Sequence, residues 1–320
     1  MKETLPLATI HILTYNTFDH IFVNLDSVLN QTYGNIEIVI ADDGSDAFPK
    51  KQIEEYITLH KRANISNVVV FSNEKNVGTV KNLNNAVQQS NGVVYIPLSQ
   101  DDDFFSNDVV ERIMRRYIEH PFNMLVTSCY GVNKNGEFMR FWPHVKVQRL
   151  MEKMTTKDMF CAYSEGLVGS MIPGSVMNIS ADLLKKIGPF DEKYKYWEDG
   201  PFIHKCLRLG YQIETAFDII AIRYEQTEGV SNANHSIMND DMELFRDTDY
   251  QKGKNDYGFS HRRYMQYYNF LRKWQKSIVK YACFLLYTDV CARKFLYSDI
   301  IRNWGGLDKK YCCEDRKQFE

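Results

Sequence analysis

Three polar clusters stand at the ends of apolar runs, and their residue types suit nucleotide and metal chemistry. "ATIHILT" runs into Thr14-Tyr15-Asn16, "IEIVIA" into Asp42-Asp43-Gly44-Ser45, and "VVYIPL" into Gln100-Asp101-Asp102-Asp103. Three adjacent carboxylates beside a buried strand repel one another and need a positive neutraliser. A divalent cation answers that need, since Mg2+ or Mn2+ takes one or two carboxylates and completes its shell with phosphate oxygens and water. Tyr15 offers a ring to a base, and Asp43 an acceptor to a base or ribose. Lys81, one turn into the helix after "NVGT", offers a cation to phosphate. Taken singly, each has an ordinary reading. "DDGS" makes a turn, an aspartate run caps a helix or faces solvent, and Tyr15 packs in a core. The joint spacing is the signal. Neither GxGxxG after the first strand nor GxxxxGK[ST] occurs, which argues against a dinucleotide enzyme and a P-loop NTPase.

These clusters share one rim only if their strands run parallel, because ligands of open α/β sheets bind outside the strands' carboxyl ends. The pattern predicts strands at 8–14, 36–41, 67–72 and 93–98, alternating with helices at 20–30, from Pro49 onward, and at 80–90. Short apolar strands alternating with helices imply βαβ units and a parallel sheet. Beyond Asp103 the pattern predicts a helix over 107–120 capped by Asn107 and a hairpin over 124–142 turning at Asn135-Gly136. A strand at 176–180 then precedes a helix closed by Gly188. A helix from Asp199 to Leu209, two short strands within 211–223 and a helical, tyrosine-rich tail complete the reading.

The 320 residues, 44% hydrophobic and 25% charged, describe a globular protein with a core of normal size. Seven cysteines without a CxxC pair point to reduced thiols rather than a zinc site or disulfide framework. "MKETLPLATIHILTYN" lacks signal-peptide features, and the apolar cluster Tyr281 to Tyr287 is shorter than the ~20 residues of a membrane span. A cytoplasmic protein is expected, with a peripheral position at the inner face of the membrane as an option.

Taken in order, the motifs resemble family 2 glycosyltransferases of the GT-A fold. "ATIHILTYNTFDHIFVNLDSVLNQTYGNIEIVIADDGSDAF" resembles their opening, "NEKNVGTVKNLNNAV" their third element, and "NGVVYIPLSQDDDF" their metal-binding DXD segment. "GSMIPGSVMNISADLLKKIGPFDEKYKYWEDGPFIHKCLRLGYQI" resembles their acceptor-side half, and the likeness covers residues 7 to 231. It implies a GT-A domain over 1–235, with a nucleotide-binding half (1–105) and an acceptor-side half (106–235), followed by a helical extension over 236–320. The implied activity is inverting, metal-dependent transfer of a sugar from a nucleotide-sugar, UDP-linked in this reading. The implied acceptor is a saccharide, carried on a lipid, in bacterial O-antigen, capsule or lipooligosaccharide assembly.

The resemblance also implies roles. Thr14, Tyr15, Asn16, Asp43, Asn76, Gly78, Lys81 and Asp101 would hold the donor. Asp102 matches the last aspartate of DXD and, with Asp101, would hold Mn2+ or Mg2+; Gln100 departs from the motif's first position. Asp199 matches the general base, with Glu198 in support. Read without the resemblance, Glu198-Asp199 is a helix N-terminus placed favourably in the dipole. Gly174 and Ser175 would border the acceptor, while Trp197 either stacks on a sugar or packs as core. Where relatives carry Arg-x-His this chain has Arg223-Tyr224-Glu225, so Arg223 meets phosphate or forms a structural ion pair. His204 reads as packed or solvated rather than catalytic.

From His261 to Arg302 there are nine Lys/Arg residues against Asp289 and Asp299. With its aromatic face, 262–295 either rests on an anionic membrane or packs on the catalytic domain with a basic solvated side. Nothing resembles a nucleic-acid module. Two other functions compete. A nucleotidyltransferase would show an early Gly-rich phosphate loop, which "ILTYNTFDH" lacks, and a degenerate nucleotide-sugar-binding protein would account for Gln100 and the missing histidine.

Overall fold

The computed structural model describes residues 5–164, 172–225, 235–252, 259–273 and 285–292. The strands β1 (Ala8–Thr14), β2 (Ile36–Asp42), β3 (Ile65–Ser72) and β4 (Val94–Ser99) run parallel in the order 3-2-1-4. The helices α1 (Ile21–Leu29), α2 (Lys50–His60) and α3 (Thr79–Gln88) make the crossovers. Every residue of β2 is buried, the mark of a strand covered on both faces.

The second half folds onto the same sheet. It contributes β5 (Asp103–Phe104), α4 (Val109–Glu119), β6 (Met124–Val132), β7 (Phe138–Trp142), α5 (Val145–Met151) and α6 (Thr156–Ser164). After these come β8 (Met177–Ser180), α7 (Ala181–Ile187), α8 (Asp199–Arg208) and β9 (Ile213–Glu225). Among the described residues the sheet has nine strands, ordered β3-β2-β1-β4-β8-β6-β9-β5, with β7 on β6. β8 lies antiparallel to both β4 and β6, so the sheet is mixed; its first four strands run parallel, and so do β6 and β9. The described residues beyond β9 include the helices α9 (His235–Asp247), α10 (Asp249–Lys252) and α11 (Phe259–Lys273). Phe245 of α9 and Tyr250 of α10 belong to the main hydrophobic core.

Several elements differ from the sequence pattern. The span 211–223 holds one strand, β9, whose register against β6 shifts between Val126 and Cys129, so a bend replaces the expected break. α4 begins one residue later than expected and lacks a side-chain cap; the Asn107 carbonyl instead accepts the Thr32 N–H at 2.7 Å. β5, α5 and α6 were not anticipated, being too short to show a clear period. Of the basic tail, 274–284 and 293–320 lie outside the described residues; α11 packs Met265 on the core, and Arg263 pairs with Asp289 at 3.0 Å.

Candidate active site

The carboxyl ends of β1, β2 and β4 open into a cavity of about 960 Å3 that reaches the N-terminus of α8. Thr14, Tyr15, Asn16, Asp43, Asn76, Asp101 and Asp102 line it from the nucleotide-binding half. Gly174, Ser175, Trp197, Glu198 and Asp199 line it from the other.

The aspartate cluster is shaped from α1. Asn24 is fully buried, and its amide donates to the carbonyls of Ser99 (2.8 Å) and Asp102 (2.7 Å). One turn on, the Ser27 hydroxyl accepts the Phe104 N–H at 3.1 Å, and Gln31 accepts the Val110 N–H at 3.0 Å. Asn24 and Ser27 on α1 thus fix the turn that leaves β4, and Gln31, just past the helix, holds the start of α4. That turn presses the Asp102 side chain inward, leaving it 3% exposed with Oδ1 lacking any hydrogen-bond partner. Burial, then the charges of Asp101 and Asp103, lift its pKa well above the carboxylate range. Asp103 lies outside the cavity lining and opposite Arg223 in the β5–β9 pairing. Burial raises its pKa, and the Arg223 charge opposes that shift.

Gln100 has a different task from the acid it replaces. Its Oε1 accepts the Tyr15 N–H at 3.0 Å, and its amide donates to the Tyr15 carbonyl and the Thr17 hydroxyl. The β1 loop is thereby held at the rim, with Asn16 at a φ of 57° and the Tyr15 ring 39% exposed at the cavity. Tyr15 therefore lies at the cavity rim rather than packed in the core.

Asp42 and Asp43 divide their work. Asp42 closes the turn, accepting from Thr14, Ser45 and Ser72, while Asp43 crosses to the N-terminus of α3. Its carboxylate takes the N–H groups of Val77 (2.8 Å) and Gly78 (3.0 Å), which partly offset the upward pKa shift from burial. Gly78 has φ 91°, and a Cβ there would lie 2.6 Å from the Lys195 carbonyl oxygen. Both facts require glycine. Lys81 points elsewhere: half-exposed and outside the cavity lining, it pairs with Glu192 at 3.1 Å.

At the opposite wall, Glu198 and Asp199 enter α8 side by side. Burial raises both pKa values, and the Asp199 charge raises Glu198 further. Asp199 is opposed by hydrogen bonds from the N–H groups of Gly200 and Gly174 and from the Trp197 side chain. The pair thus shares a raised affinity for protons, and Asp199 receives the hydrogen-bond donors that favour a carboxylate. Gly174 is packed so closely that a Cβ would stand 2.7 Å from Glu198 Oε1. Trp197 is both wall and packing, since its ring lines the cavity and meets Phe245 edge-on at 5.2 Å. His204 lies buried among Phe160, Phe245 and Tyr250, its pKa lowered by burial to about 4.

The oxygen ligands suit a hard divalent cation. Asp102 offers a buried, unpartnered carboxylate oxygen, and Asp101 lines the same cavity, so a cation held there would draw further ligands from phosphate and water. Among the described residues no set of three or more His, Cys, Asp or Glu side chains forms a self-sufficient metal site. No helix there is long and apolar enough to cross a membrane.

Three functional contributors escaped the sequence reading: Asn24, Gln100 as a strap, and Asp241 of α9, whose carboxylate accepts the N–H groups of residues 195–197. Asn24 carried a readable signal, a polar residue on the apolar face of a helix. Asp241 carried none, since its partners are backbone groups 44 to 46 residues away.

Comparison with known proteins agrees with this architecture. The Glycosyl transferase family 2 profile matches residues 9–169, and the chain belongs to that family. A Haemophilus influenzae glycosyltransferase is 31% identical over 235 residues, 73% of this chain and 70% of that protein. A Rickettsia typhi glycosyltransferase is 29% identical over 64% of this chain, which spans 59% of that relative's length. The crystal structure of Staphylococcus aureus TarS 1–349 in complex with UDP-GlcNAc superposes with a TM-score of 0.60 at 21% identity. That match covers 84% of this chain and 73% of TarS 1–349, and with it the fold is GT-A.

Proposed function

Starting from membership of glycosyltransferase family 2, we propose that this chain transfers a sugar, with inversion, from a nucleoside-diphosphate sugar to a hydroxyl group of a saccharide acceptor. The observation that carries the reading is the joint placement, in one cavity, of the Asp43 and Asp102 rim with the buried Glu198–Asp199 pair. Tyr15 and Asp43 receive the nucleoside, with Asn76 at the same rim. Asp102 and Asp101 hold Mn2+ or Mg2+, which supplies charge neutralisation for the departing diphosphate when bound. Asp199 removes the proton of the acceptor hydroxyl as its oxygen attacks the anomeric carbon, and the bond to the diphosphate breaks. Burial keeps the Asp199 pKa above that of a free carboxylate, which strengthens it as a base. A single displacement by the acceptor oxygen, with one carboxylate as its base, inverts the anomeric centre.

A UDP-linked donor fits the reading, as UDP-GlcNAc is the ligand of the TarS complex. A lipid-carried acceptor and a role in surface-polysaccharide assembly extend it, as does a peripheral membrane contact through the basic tail. Division into a GT-A domain and a helical extension near residue 235 belongs to the same proposal. The test is a panel of UDP-, GDP- and dTDP-sugars with Mn2+, read by thermal shift and by nucleotide release. One donor is expected to stabilise the protein and release its diphosphate; stabilisation without release or transfer to any acceptor would favour a binding protein.

A further inference from the structure

The residues leading into the catalytic pair, 191–198, cross the cavity wall as turns rather than as a helix or strand. Backbone N–H groups in such a segment need partners outside a regular ladder; those of Lys193 and Tyr194 go to Asp191, and those of 195–197 go to α9. The Asp241 side chain is 5% exposed, and its carboxylate accepts the N–H groups of Lys195 (3.0 Å to each oxygen), Tyr196 (2.7 Å) and Trp197 (3.0 Å). Four residues further, Phe245 meets the Trp197 ring edge-on. Four more bring Asp249, which accepts from Lys193 Nζ and, at 2.7 Å, from the Tyr194 hydroxyl. Positions 241 and 245 share one helix face by the four-residue period. Backbone, ring and charge contacts from 241, 245 and 249 therefore all bear on the five residues from Lys193 to Trp197.

The other side of the segment is tied to the donor rim. The Lys195 carbonyl accepts the Val80 N–H at 3.3 Å, in the first turn of α3. That same helix start supplies the Gly78 N–H that holds Asp43. A continuous run of contacts thus links Asp43, α3, Lys195, Asp241 and the catalytic pair. A charge-assisted grip on three successive amides is stronger than a single neutral hydrogen bond and leaves the segment little freedom to shift.

We propose that Asp241 is the positioning residue of the active site, fixing residues 195–197 so that Glu198 and Asp199 face the acceptor hydroxyl. The proposal rests on the glycosyl-transfer reading above and adds a residue outside the matched family region, which ends at 169. Asp241 touches neither donor nor acceptor; it acts through the backbone before Glu198. Its removal therefore costs turnover rather than donor affinity, since a displacement of about 1 Å in a reacting group can cost on the order of 100-fold in rate.

The test compares wild type with Asp241→Asn and Asp241→Glu, using the donor found active on wild type. Amide hydrogen exchange over 195–197, UDP-induced thermal stabilisation, and kcat and KM for transfer are measured together. Asp241→Asn is expected to speed exchange at those amides and lower kcat by about 10–100-fold. KM for the nucleotide-sugar and UDP stabilisation are expected to stay within about threefold of wild type. Asp241→Glu, which keeps the charge, is expected to retain more kcat than Asp241→Asn. Should Asp241→Asn fail to fold, Asp241→Glu against wild type carries the same comparison. Unchanged exchange at 195–197 would overturn the anchor, and faster exchange with kcat intact would overturn its catalytic meaning. Absence of nucleoside diphosphate release by wild type from every donor would defeat the glycosyl-transfer reading instead, while the exchange measurement would still show whether Asp241 anchors the segment.

Discussion

Asp102→Asn is expected to change stability in opposite directions with and without a divalent cation. Without metal, the wild-type carboxyl group is buried between Asp101 and Asp103 with Oδ1 unpartnered. A buried polar atom left without a partner costs about 1–3 kcal/mol. An asparagine of the same shape removes a charge that burial and the like charges of Asp101 and Asp103 disfavour. The metal-free variant should therefore be more stable by about 1–2 kcal/mol, a rise in Tm of roughly 2–4 °C per kcal/mol for a chain of this class. With Mn2+ and UDP at about 100 times the dissociation constant, wild type gains about 2.7 kcal/mol by mass action. The variant, lacking the buried carboxylate ligand, should gain far less, so the order of stabilities reverses. Differential scanning fluorimetry in chelator, and then in Mn2+ with UDP, reads both arms. A variant less stable than wild type in chelator, or one stabilised by Mn2+ and UDP as much as wild type, would refute the assignment of Asp102.

Two further predictions concern the opposite wall. Gly174→Ala places a methyl group 2.7 Å from Glu198 Oε1, too close to coexist, so the carboxyl group must move. kcat is expected to fall by about 10–100-fold with Tm and donor KM little changed, as steady-state kinetics would show. Burial raises the Glu198 and Asp199 pKa values, so the folded state binds more protons than the unfolded one. Stability should then fall as pH rises from the ordinary carboxylate range near about 4 toward the raised values. Glu198→Gln should flatten that slope and be more stable than wild type at about pH 8, in urea melts at several pH values.

The strand ends were legible because the chemistry and the periodicity agree there. Runs such as "IEIVIA" are too apolar for anything but a buried strand, and each ends in groups unsuited to burial. Sheet topology then brings Tyr15, Asp43 and Asp102 to one rim without further information. The likeness to relatives located Glu198 and Asp199, which periodicity alone would have left as a helix start. What escaped depends on contacts that leave no local trace. Lys81 has the right position for a phosphate but a nearer carboxylate in Glu192. Gln100 looked like a weakened metal ligand, yet its amide fits the backbone of the β1 loop. β9 looked like two strands because it carries extra residues between Thr215 and Ile222 where its register against β6 shifts. Asp241 binds backbone N–H groups, which every sequence offers alike.

The central claim is that a nucleotide-sugar bound at the Asp43–Asp102 rim is attacked by an acceptor hydroxyl deprotonated by Asp199. Its most direct test is diphosphonucleoside release with acceptor present, comparing wild type and Asp199→Asn on the donor that stabilises both. The account predicts release by wild type, a loss of about 100–10,000-fold in kcat for the variant, and donor stabilisation unchanged between them. Comparable release by Asp199→Asn would contradict it.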